Sequence, residues 1–166
     1  MVNYQLEDVA IELRKALKID IDLNINPKYL DELCQKIQNN ISNIKIIKNE
    51  DGPKVTLKDG ENWTIYICGN EEEKFYNLCE MLSFIILFDK KSLNGYELEN
   101  SEFRFPRSKM NYDMEYLNLA FMMPRKAFLR ELIKYSSGDG SSVKMSKMQE
   151  EVNKYCYKRG VYSDLW

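Results

Sequence analysis

The chain holds 166 residues, 44% of them hydrophobic, with 24 Lys and Arg against 26 Asp and Glu and no His. A chain of this length buries roughly 70% of its extended surface on folding and needs no staples, while a net charge of -2 leaves no excess positive charge for a long-range grip on phosphate backbones. The missing imidazole excludes Ser-His-Asp chemistry, Cys-His chemistry and every His-built metal site.

Four cysteines, at 34, 68, 79 and 156, are too scattered for a zinc half-site of the Cys-x2-4-Cys kind, and no secretory leader precedes them, so reduced thiols in the cytoplasm are expected. The longest apolar run, Phe84-Ile85-Ile86-Leu87-Phe88, is too short to span a bilayer. A soluble protein with no membrane partner is expected.

Residues 4–18 place Leu6, Val9, Ala10, Leu13, Ala16 and Leu17 on one stripe of an amphipathic helix, whose other face reads as charged and solvated. After a short link, Asn26-Pro27 reads as an N-cap with proline at the first helical position, and Leu30, Leu33, Cys34, Ile37 and Ile41 continue a second helical stripe. The period then changes to two. Residues 43–48, 53–58 and 62–68 are rich in Ile, Val, Thr, Trp and Tyr, and turn sequences separate them at Glu50-Asp51-Gly52-Pro53 and Asp59-Gly60. The pattern predicts an antiparallel meander of three strands.

Asn70-Glu71-Glu72-Glu73 then supplies an N-cap and acidic first turn for a helix over 70–89, with Phe75, Leu78, Cys79, Leu82, Ile85 and Ile86 inward. Residues 90–108 have no strong period and are expected to form a long surface loop. A helix over 109–122 follows, burying Tyr116, Leu117, Ala120 and Phe121, and Pro124 ends it while opening another through residue 135. A Ser/Gly-rich hinge at 136–142 leads into a last helix over 143–159. No repeat or long linker divides the chain, so a single domain over 1–166 is expected, with a core at 28–135 and a helical tail at 143–166.

Thr64-Ile65-Tyr66-Ile67, a polar turn, and then 74–87 resemble the strand and active-site helix of the ImmA/IrrE metallopeptidase family. Members of that family carry His-Glu-Leu-Gly-His where this chain has Cys79-Glu80-Met81-Leu82-Ser83. A second landmark is Asp113-Met114-Glu115-Tyr116-Leu117-Asn118-Leu119-Ala120-Phe121-Met122-Met123-Pro124, which is similar to the family's Glu-Ala-Asn-x-Phe-Ala-Ala-x-Leu-Leu-Met-Pro stretch. The resemblance covers roughly residues 28–160.

It implies an α+β, zincin-like fold: a small antiparallel three-stranded sheet packed on a central helix with further helices around it. In an intact member two imidazoles at i and i+4 hold zinc, the Glu beside the first activates water, and a carboxylate from a later helix completes the site. The corresponding residues here are Cys79, Ser83, Glu80 and Asp113. With one thiolate and one carboxylate as strong donors, zinc is held far more weakly. The resemblance therefore implies a pseudo-peptidase without metal or cofactor, which acts by binding a protein, such as a repressor-type regulator or a host factor, in a bacterial mobile element or phage. The alternative it leaves open is a peptidase with a non-standard site of Cys79, Glu80 and Asp113.

Each residue also has a plain structural reading. Cys79 on an apolar stripe reads as a small buried hydrophobe, Glu80 as a surface carboxylate, and Asp113 as a complement to a helix dipole. Phe103-Arg104-Phe105-Pro106-Arg107 interleaves two Phe with two Arg in an irregular segment. Phe103, Arg104, Phe105 and Arg107 therefore either fold over the cleft or meet a partner. The basic, aromatic stretch 154–162 leaves a second alternative, a nucleic-acid-binding module that uses the C-terminal helix, but a helix end whose cations complement the dipole is the preferred reading and nucleic acid is not the expected partner.

Overall fold

The computed structural model describes residues 3–49, 52, 55–89, 102–103, 108–127 and 130. Among the described residues the named helices and strands follow in the order α1 (Tyr4–Ala16), α2 (Leu30–Asn40), β1 (Ile44–Asn49), β2 (Val55–Asp59), β3 (Asn62–Cys68), α3 (Glu71–Asp89), β4 (Glu102–Phe103) and α4 (Ser108–Met122), and residues 125–127 are helical again after Pro124. The hinge at 136–142 and the helix expected over 143–159 lie outside the described residues.

Local chemistry sets the helix boundaries. The Asn3 side chain accepts the Leu6 N–H at 3.1 Å to start α1. At the other end Ile19 N–H reaches Arg14 O at 2.9 Å and Lys18 N–H reaches Lys15 O at 3.1 Å, a Schellman pair. Lys18 takes the left-handed position, φ +57°, that usually belongs to glycine. A single 3-10 turn (Pro27–Tyr29), capped by Asn26, leads into α2. The Asn70 carboxamide accepts Glu73 N–H at 2.8 Å and opens α3, whose first turn is acidic. Gly69, at φ +91°, makes the bend before it, and a Cβ there would lie 2.6 Å from Glu73 Oε2.

The sheet differs from the expected meander. It is mixed, with strand order β1-β3-β2-β4. The Asp59-Gly60 turn joins β2 and β3 as an antiparallel hairpin, as the sequence predicts, but β1 runs parallel to β3 on the hairpin's far side, pairing Ile44 with Trp63 and Ile46 with Ile65. β3, whose inward residues Trp63, Ile65 and Ile67 are all buried, lies between β1 and β2, and β2 in turn lies between β3 and β4. The lysine-bearing strands β1 and β2 flank it. The expected long loop is also interrupted, because β4 within it pairs Phe103 with Thr56 and Glu102 with Leu57.

The core fills the space between the inward sheet face and α3. α3 buries Phe75, Leu78, Cys79, Met81, Leu82, Phe84, Ile85 and Leu87, so it is apolar nearly all round, as a central helix must be. Trp63 meets Phe84 and Phe88 edge-on, with ring centroids 5.9 and 5.5 Å apart, and Lys58 Nζ lies 4.8 Å from the centroid of the Phe88 ring. α4 packs on both α1 and α3. No helix among the described residues is long and apolar enough to cross a membrane.

The charged face expected on α1 is only partly in water. Glu7 and Arg14 are both buried, Arg14 completely.

Candidate functional site

α3 presents the motif residues in two ways. Cys79 and Ser83, one turn apart, both have zero exposure and belong to the core. The Ser83 hydroxyl donates to the Cys79 carbonyl at 2.8 Å, which occupies its proton within the helix. Burial pushes the Cys79 thiol far above its ordinary value, against the opposing pull of the Arg14 charge. Glu80 is half-buried. Asp113, also half-buried, stands in the second turn of α4, because that helix starts at Ser108; this is past the first turn, where a helix dipole acts. Among the described residues no three Cys, Asp or Glu side chains converge as metal ligands would.

Phe103 is placed by its backbone on β4 against Thr56. Arg104, Phe105 and Arg107, the other residues expected to meet a partner, lie outside the described residues, as does the basic stretch 154–162.

The cation beside Cys79 is Arg14, a residue whose charge alone suggests a solvated face. Its five N–H donors all go to backbone carbonyls. Nε donates to Phe121 O at 2.7 Å and Nη2 to Met122 O at 2.9 Å; Nη2 also reaches Phe121 O, and Nη1 serves Asp20 O at 2.7 Å and Leu23 O. Phe121 and Met122 end α4, so the guanidinium caps the negative end of that helix while tying down the link after α1. The Phe121 ring stacks at 5.4 Å from the guanidinium carbon. Desolvation lowers the arginine to about 10, which leaves it charged at neutral pH.

The sequence does carry a signal for this burial. On a helical wheel Glu7 and Arg14 fall between the Leu6-Ala10-Leu17 stripe and Ile11, inside an arc that apolar residues close on both sides. Glu7 answers a similar constraint: it accepts the Tyr116 phenol proton at 2.9 Å, and Tyr116 in turn accepts Asn3 N–H at 2.9 Å.

A groove of about 350 Å³ runs between α1 and residues 124–126, where the chain turns helical again after α4. Tyr4, Asp8 and Ile11, at i, i+4 and i+7, form one wall; Ile21 and Pro124 contribute apolar surface, and Lys126 stands on the other wall. The sequence shows each of these residues but not their meeting, since they come from three distant segments.

Compared with known protein families, curated proteins and solved structures, the chain has no match.

Proposed function

We propose that the chain is a non-catalytic, protein-binding regulatory factor of a bacterial mobile element or phage, built on a metallopeptidase-like frame. The observation that carries this reading is the state of the two side chains standing where ImmA/IrrE peptidases have imidazoles. Cys79 is a desolvated thiol inside the core, and Ser83 spends its hydroxyl proton on the helix backbone. The positive charge acting on the Cys79 sulfur comes from a guanidinium whose donors are all satisfied.

The chemistry of this donor set disfavours zinc. Binding through Cys79 needs a thiolate, which burial opposes, and a hydroxyl at 83 is a poor replacement for a neutral imidazole nitrogen. Without a metal to acidify water, Glu80 has no hydrolytic nucleophile to activate. The order of helices and strands, with a sheet leading into an apolar central helix and a later helix packed upon it, is compatible with the resemblance. What such a frame retains is surface, and a repressor-type regulator or host protein is the partner the resemblance suggests.

The test pairs elemental analysis with a binding screen. Protein purified without chelators should hold far less than one zinc per chain, and Glu80→Gln should leave capture of any regulator unchanged. Stoichiometric zinc, together with proteolysis that Glu80→Gln abolishes, would establish the non-standard peptidase instead.

A further inference from the structure

We draw no further inference here: the strongest candidate, the apolar groove between α1 and residues 124–126, mixes the acids Glu7, Asp8 and Asp22 with the bases Arg125 and Lys126 in one lining, and nothing among the described residues shows what covers it.

Discussion

Replacing Arg14 by Met keeps the length and most of the apolar contact of the side chain while removing five donors. Four carbonyls then lose a partner: Phe121, Met122, Asp20 and Leu23. Met122 O keeps the Ile25 N–H at 2.9 Å, and Asp20 is exposed enough for water to substitute. Leu23, 44% exposed, admits water in the same way, so Phe121 O bears most of the loss, at about 1–3 kcal/mol for a buried acceptor left bare, and the C-terminus of α4 loses its cation as well. Relief of the desolvation that holds the arginine down to about 10 offsets part of this. A net loss of about 2 kcal/mol is expected, read as a fall in the urea midpoint at constant m. Hydrogen exchange at the Ile19, Leu23 and Ile25 amides should accelerate alongside it, because the link after α1 loses its anchor. Arg14→Lys should recover only a minority of the loss, since one ammonium cannot span carbonyls from two segments. Stability of Arg14→Met within about 0.5 kcal/mol of the parent would refute the clamp.

Three further outcomes follow from the backbone and the thiols. Lys18→Gly should raise stability by about 0.5–1 kcal/mol in thermal unfolding, because a left-handed residue with a Cβ is replaced by one without the penalty. Gly69→Ala should lower it by at least about 1 kcal/mol, since φ is +91° and the new methyl presses on Glu73. Cys34 and Cys79 both have thiols raised by burial above the ordinary 9.0. The folded state therefore retains protons that the unfolded chain releases, so their contribution is complete below pH 9 and declines as pH rises beyond it. Unfolding free energy measured from about pH 8 upward should fall less steeply in Cys34→Ala/Cys79→Ala than in the parent. Native-state labelling of either thiol should be no faster than opening of the core.

Periodicity in the sequence locates the four principal helices to within a few residues, because their apolar stripes are long and the caps at Asn26 and Asn70 are chemically distinct. Strand existence is equally legible at 43–48, 53–58 and 62–68. Strand neighbours are not, because alternation identifies which face a residue occupies and says nothing about which strand lies beside it; the parallel β1–β3 pair is therefore invisible in the sequence. The short β4 carries no periodic signal in two residues. The burial of Cys79 follows from the apolar character of α3. Arg14 reads as solvent-facing only while charge is weighed ahead of its position on the wheel; four backbone carbonyls satisfy a guanidinium as fully as carboxylates do. The groove requires residues 4–11, 21–22 and 124–126 to converge, and no local pattern encodes that meeting.

The placing of Trp63 gives the protein an internal optical gauge. Its backbone is in register with Ile44 of β1 and Lys58 of β2, while its ring lies against Phe84 and Phe88 of α3 at 1% exposure. With Trp166 replaced by Phe, the remaining indole senses three strands and the central helix together, and its emission shifts to the red only when water enters between them. For a protein read as non-catalytic, that shift supplies the signal by which folding, assembly and the effect of each substitution can be observed.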